Sequence, residues 1–252
     1  MGKERYERLL YQDIRVGTRE ELLNSVRALI GNGGTVSTVN PIMLAESVKN
    51  PELARALANS LNIPDGFGVS RALSKRGAYT ELFPGVELCE ALMPCIRSFA
   101  VIGGRGGVAE AASEYLCEKS DGAVCLFSQD GYTYDKQNLE QKLRQTAPEL
   151  VLVCLGSPKQ ELLIMELQPS SPKSLFIGLG GSLDVYSGAV KRAPAAVRRM
   201  HLEWLWRMIK EPRRLRKLPH LVDFVLLANI EKRSKRQKRT RGSVNPHIKS
   251  EK

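Results

Sequence analysis

Ser98-Phe99-Ala100-Val101-Ile102, then Gly103-Gly104-Arg105-Gly106-Gly107, then Val108 to Lys119 and Ala123 to Phe127, form the stretch on which the fold reading turns. A short apolar run ends in a glycine-rich loop, an alanine-rich segment of helical period follows, and a second apolar run closes the unit. That is strand, helix, strand, and a helix crossing back over the sheet makes the two strands parallel. Lys136 to Gln145 (helix), Leu150 to Leu155 (strand), Lys159 to Leu167 (helix) and Ser174 to Leu179 (strand) continue the alternation. The expectation is an α/β chain with a Rossmann-like parallel sheet flanked by helices. In such sheets ligands gather at the carboxyl ends of the strands. Those ends are Gly103-Gly104, Ser128-Gln129-Asp130-Gly131, Gly156-Ser157-Pro158 and Gly180-Gly181.

Upstream of this unit, Glu20 to Ile30 has helical spacing and is stopped by Gly31-Asn32-Gly33-Gly34, so one short helix is expected to open the body. Thr35 to Asn40 reads as a strand ending at Pro41, and Ile42 to Ser60 as helical with a break near Pro51. Thr38 and Asn40 therefore stand at a strand's end, either as hydrogen-bonding turn residues or as ligands. Next comes Asn62-Ile63-Pro64-Asp65-Gly66-Phe67-Gly68. Proline fixes its own φ and glycine permits a close approach, so the Asp65 carboxylate is aimed, although Pro-Asp-Gly is also a common turn tripeptide. Helical pieces near Val69 to Lys75 and Val86 to Met93 complete the first half.

Gly104-x-Gly106-x-x-Ala109, with Asp130 after the next strand, meets a loose form of the dinucleotide-binding fingerprint. Its physics needs only backbone N–H groups and a helix amino terminus facing a diphosphate, which a nucleotide sugar satisfies as well as NAD. Five scattered cysteines without a CxxC pair indicate neither a disulfide framework nor a zinc site. The charged amino terminus lacks the apolar core of a signal peptide, and no run reaches the roughly 18 apolar residues of a spanning helix. The chain is thus expected to be neither exported nor threaded through a bilayer.

Charge is unevenly placed. Residues 191–252 hold 19 Lys and Arg against 5 Asp and Glu, whereas residues 1–190 carry a net −3. Ala195 to Lys210 reads as one helix that interleaves Trp204, Trp206 and Ile209 with Arg198, Arg199 and Arg207. Leu221 to Ile230 follows as an apolar stretch, and Lys232 to Arg241 as a basic run. An apolar surface flanked by cations suits an anionic membrane surface, and deletion of residues 218–252 is expected to release the protein from anionic vesicles.

Thr38-Val39-Asn40, Pro64-Asp65-Gly66, Gly103-Gly104-x-x-Gly107-Val108-Ala109-Glu110, Gly156-Ser157-Pro158-Lys159-Gln160-Glu161 and Gly180-Gly181-Ser182-Leu183-Asp184 stand in this order. So arranged, the chain resembles the WecG/TagA/CpsF family of bacterial glycosyltransferases. The resemblance continues through Arg192-Ala193-Pro194, Leu202-Glu203-Trp204-Leu205-Trp206-Arg207 and Glu211-Pro212-Arg213-Arg214, and covers roughly residues 20 to 217. It implies inverting, metal-independent transfer of N-acetylmannosamine or a related sugar from a UDP-sugar donor. The implied acceptor is polyprenyl-pyrophosphate-linked N-acetylglucosamine, in the synthesis of a cell-surface polymer of the teichoic acid type. Asp65 matches the family's general base, and Thr38 is grouped with it as catalytic. Asn40, Gly103, Gly104, Asp130, Tyr132, Gln160, Glu161 and Arg192 are expected to bind substrate. Arg207, Arg213 and Arg214 are expected to close over the leaving diphosphate, together with Arg216.

The implied organisation is an α/β catalytic domain over residues 1–192, a helical membrane-associating appendage over 193–230 and a basic disordered tail over 231–252. The implied location is cytoplasmic, on the inner face of the cell membrane. A homo-oligomer is left open, and no nucleic-acid partner is expected. The family pattern Arg-x-x-Gly-x-Asp-Leu is here Leu82-Phe83-Pro84-Gly85-Val86-Glu87-Leu88, and Leu82 cannot replace a cation. That departure implies a different sugar, another arginine such as Arg71 or Arg105, or weak activity. Two other readings stand beside the transferase. A nucleic-acid binder would use the basic tail and show steep salt dependence, and an NAD enzyme would use the Gly104 loop.

Overall fold

The alternation that begins at residue 98 is present in the computed structural model, which describes residues 4–200, 202–210, 216 and 218–242. Among these residues the strands are β1 (Arg5–Leu9), β2 (Gln12–Val16), β3 (Gly34–Val39), β4 (Leu61–Pro64), β5 (Ser98–Gly103), β6 (Val124–Gln129), β7 (Leu150–Cys154) and β8 (Leu175–Gly178). The helices are α1 (Arg19–Arg27), α2 (Pro41–Lys49), α3 (Pro51–Ala58), α4 (Phe67–Ser74), α5 (Gly85–Leu92), α6 (Val108–Glu118), α7 (Lys136–Thr146) and α8 (Lys159–Leu167). They continue with α9 (Ser182–Tyr186), α10 (Ala195–Arg199), α11 (Glu203–Lys210) and α12 (Leu218–Gly242).

The strands form one sheet in the order β1-β2-β4-β3-β8-β7-β5-β6. β1 pairs antiparallel with β2 and the other pairings are parallel. β7 is apolar at every position because both sheet faces are covered there. Leu150, Leu152 and Cys154 of β7 face a core shared with α1, α5, α6 and α9, while Val151 and Val153 face α7 and α8. A third cluster joins β1, β2, α2, α3 and α4 to Phe224 and Ala228 of α12.

Local chemistry sets the helix starts. Thr18 and Glu21 form a capping box on α1, and Asn40 caps α2 with Pro41 at its first position. Asp135 caps α7.

Four features differ from the sequence expectation. A hairpin, not a helix, opens the body: β1 and β2 turn at Leu10 and Tyr11, whose φ values are 48° and 67°. Type I′ turns favour Asn-Gly at these positions, so the local signal is missing; burial of Leu10 in the third cluster supplies the stabilisation instead. Leu61–Pro64 is a strand, kept short by the proline that ends it. The helix expected from Ala195 to Lys210 is two, α10 and α11, because the chain turns between them. Residues 221–230 belong to α12, which runs on through the basic run to Gly242 and crosses the boundary expected at 230.

Candidate active site

The carboxyl ends of β4, β3, β8, β7, β5 and β6 stand in one row. Five strand spacings separate its ends, about 24 Å in all. Asp65 follows β4 directly, and its backbone N–H is fastened to the Val39 carbonyl at 2.8 Å, at the end of β3. Gly66, with φ of 94°, packs against Asn40 and Pro41: a Cβ there would lie 3.8 Å from the Asn40 Cβ and 3.4 Å from the Pro41 Cδ. Asp65, Thr38 and Asn40 are thereby brought to one corner, and the Asp65 side chain is half-buried.

Two of these residues also have structural work. Asn40 Oδ1 accepts from the Ile42 and Met43 N–H groups, each at 3.1 Å. The Thr38 hydroxyl donates to the Gly178 carbonyl of β8 at 3.2 Å. Gly85 is packed against that hydroxyl, where a Cβ would come within 3.2 Å, and Phe83 N–H bonds the Pro64 carbonyl at 3.1 Å. The segment carrying Leu82 is thus a wall of the Asp65 corner.

Gln160 and Glu161, expected to bind substrate, are 3% and 2% exposed at the base of the row. Gln160 Oε1 accepts from Gly156 N–H at 3.1 Å and Gly180 N–H at 2.9 Å, and its Nε2 donates to Glu161 Oε1 at 2.7 Å. Burial raises the Glu161 carboxyl above the usual carboxylate range, with Glu46 adding to the rise and the Gln160 amide and Ser157 hydroxyl opposing it. Glu161 also lines a cavity of about 300 Å³ on the sheet face between α3 and α8, with Ser37 and Ser60.

Toward the far end, β5 and β7 lie side by side with helices leaving to opposite faces, since α6 packs into one core and α8 into the other. Such a reversal opens a crevice. Glycine keeps it close-packed: a Cβ on Gly103 would meet the Cys154 carbonyl at 2.4 Å, and one on Gly131 would lie 3.1 Å from the Gly103 Cα. Gly131 N–H bonds the Gly104 carbonyl at 2.9 Å. Asp130 turns inward on its own loop, accepting from the Tyr132 and Thr133 N–H groups at 2.9 Å and from the Thr133 hydroxyl. These bonds, the Thr133 hydroxyl's first, lower its pKa. Tyr132 is 74% exposed. Gly103, Gly104, Asp130 and Tyr132 therefore form a second group, across the row from Asp65. Asp130 spends both carboxylate oxygens on its own loop in this structure.

A profile of the "Glycosyl transferase WecG/TagA/CpsF family" matches residues 8–238. The chain belongs to this family. It is 32% identical over 226 residues to an N-acetylglucosaminyldiphosphoundecaprenol N-acetyl-beta-D-mannosaminyltransferase of Bacillus spizizenii, covering 85% of this chain and 83% of that protein. A protein of the same description from Bacillus subtilis (strain 168) is 32% identical over 217 residues, covering 81% of this chain and 82% of its own length. This chain is accordingly a glycosyltransferase.

The arginines expected at the site of this glycosyltransferase, with Arg19, are placed as follows among the described residues. Arg192 Nη2 bonds Glu87 at 2.5 Å, and Arg19 Nη1 reaches the other oxygen of the same carboxylate at 2.7 Å. Arg19 Nε also donates to the Leu82 carbonyl at 2.8 Å, and its guanidinium lies over the Phe83 ring. Arg19, 63 residues from Leu82 in sequence, is thus the cation beside it, a placement no local motif announces. Arg71, by contrast, lies over Phe67. Arg207 is placed on α11 by its backbone alone, Arg216 is exposed, and Arg213 and Arg214 lie outside the described residues.

The carboxyl-terminal helices are partly embedded. Phe224 is 3% exposed, Arg76 Nη2 pairs with Glu231 at 2.9 Å in a largely buried setting, and Glu231 also accepts from Leu10 N–H at 3.0 Å. Lys49 pairs with Asp223 at 2.7 Å. The opposite side of α12 leaves Val222, Val225, Leu226 and Ile230 in solvent, and α11 exposes Trp204 and Ile209. Among the described residues no helix is long and apolar enough to cross a membrane, and no group of three His, Cys, Asp or Glu is placed to hold a metal ion.

Proposed function

We propose that the protein transfers N-acetylmannosamine from UDP to N-acetylglucosamine on a polyprenyl diphosphate, with inversion, for a cell-surface polymer of the teichoic acid type. The observation that carries this reading is Asp65 itself. It is half-buried, held by the end of β3 through a 2.8 Å backbone bond and flanked by Thr38 and Asn40, in a chain 32% identical to two proteins named N-acetylglucosaminyldiphosphoundecaprenol N-acetyl-beta-D-mannosaminyltransferase. Asp65 takes the proton from the acceptor hydroxyl as that oxygen attacks the anomeric carbon; the bond from that carbon to the UDP oxygen breaks and UDP leaves. General-base help of this kind contributes about 10² to 10⁴ in rate. The glycine loops after β5, β7 and β8 offer backbone N–H groups to the diphosphate. Arginines of the carboxyl-terminal helices take the place of a metal on the leaving group, a task that suits the bidentate guanidinium.

The acceptor lipid requires an enzyme at a membrane surface. The exposed apolar sides of α11 and α12, followed by the basic run, fit peripheral attachment to anionic lipid on the cytoplasmic face. The test is transfer from a panel of UDP-sugars to a synthetic lipid-diphosphate N-acetylglucosamine, with and without EDTA. Transfer from UDP-N-acetylmannosamine, unchanged by EDTA and yielding the inverted anomer, is expected. Preference for another donor, or loss of transfer in EDTA, overturns the donor or the metal-free reading respectively.

A further inference from the structure

Gln160 is held at three corners. Its Oε1 takes N–H groups from Gly156 and Gly180, which have φ of 78° and 55° and belong to the loops after β7 and β8. Its Nε2 gives a hydrogen to Glu161 Oε1. Turning the amide over would set its NH2 against two N–H donors and its carbonyl against a carboxyl oxygen, so only one orientation satisfies all three contacts. The room is also fixed, because a Cβ on Gly178 would meet Gln160 Nε2 at 2.8 Å and Glu161 Oε1 at 3.3 Å. Both side chains are buried below the row.

We infer that Glu161 is a positioning residue for sugar transfer: by holding the Gln160 amide it fixes the spacing of the Gly156 and Gly180 loops that flank the donor cleft. The inference rests on the transferase reading above. Glu161 Oε2 and Ser157 Oγ are both buried without a formed hydrogen bond, so a proton on Oε2 is accommodated while Oε1 goes on accepting. The raised pKa of the group agrees with that arrangement. Glutamine at 161 reproduces it, with its carbonyl toward Gln160 and its NH2 toward Ser157. Leucine at 161 keeps the volume and removes the acceptor.

Backbone hydrogen exchange reads the link without any substrate. In Glu161→Leu the Gly156 and Gly180 amides are expected to lose protection together while β5 and β7 keep theirs, and Glu161→Gln is expected to match the wild type. UDP affinity and kcat/KM for the donor are expected to fall about tenfold in Glu161→Leu, the scale of one lost buried hydrogen bond. Adding Glu161→Leu to Gln160→Leu is expected to cost little more than Gln160→Leu alone, since both cut one chain of contacts. Additive losses, or unchanged exchange at the two glycines, overturn the inference. So does a Glu161→Gln variant as impaired as Glu161→Leu. A wild-type protein that transfers no sugar sinks the donor assignment instead, and the exchange pattern still decides whether Glu161 acts through Gln160.

Discussion

Two regions of this glycosyltransferase break the rule that polar groups face water and apolar groups do not, and they break it in opposite directions. Below the strand ends a glutamate is 2% exposed; on α12 an isoleucine, Ile230, is 62% exposed. The first costs desolvation that the Gln160 bond partly offsets, and the second leaves apolar surface hydrated. The two regions owe their order to different sources. The buried pair is partnered within the chain, whereas the outer side of α12 is exposed. The inner side of the same helix, with Phe224 and the Arg76–Glu231 pair, belongs to the body.

The largest expected effect lies above the buried pair. Asp65→Asn should lower kcat by about 10² to 10⁴ with UDP affinity and thermal unfolding unchanged; full activity would remove Asp65 from the chemistry. The two sides of α12 should then separate cleanly. Phe224→Ala is expected to cost about 3–5 kcal/mol in denaturant unfolding, and Ile230→Ala within about 0.5 kcal/mol. Equal costs would mean that α12 is not seated as described. For the same reason deletion of residues 218–252 is a poor membrane test, since it uncovers the core around Met43 and Val69.

Charging the outer side is the sharper experiment. Val222→Glu, Leu226→Glu and Ile230→Glu together should abolish sedimentation with anionic vesicles and leave stability nearly intact; retained sedimentation would place the membrane contact elsewhere. The smallest effect concerns pH. Glu161 has a folded pKa above its unfolded value, so the folded state binds the proton more tightly and stability falls as pH rises through that folded pKa. Glutamine at 161 has no such proton to bind, so Glu161→Gln should be less sensitive to pH in that window, measured by unfolding at constant ionic strength. An identical pH profile would mean that Glu161 is not buried as an ionisable group.

Sequence alone determined the parts whose causes are local. The strand–helix alternation from Ser98 to Leu179, the glycine loops at strand ends and the position of Asp65 after a proline all follow from period, turn chemistry and backbone restriction within a few residues. Tertiary structure decided the rest. The hairpin at Leu10-Tyr11 lacks turn residues and is held by burial and by Glu231, 221 positions away. Arg19 reaches Leu82 across 63 positions, and Gln160 Oε1 joins the loops after β7 and β8. Asp130, spaced correctly for a ribose, is wrapped by its own loop at the far end of the row. A hydrogen-bonding group is satisfied by whichever partner the fold brings within about 3 Å, and that proximity is a property of the folded chain, not of spacing along it.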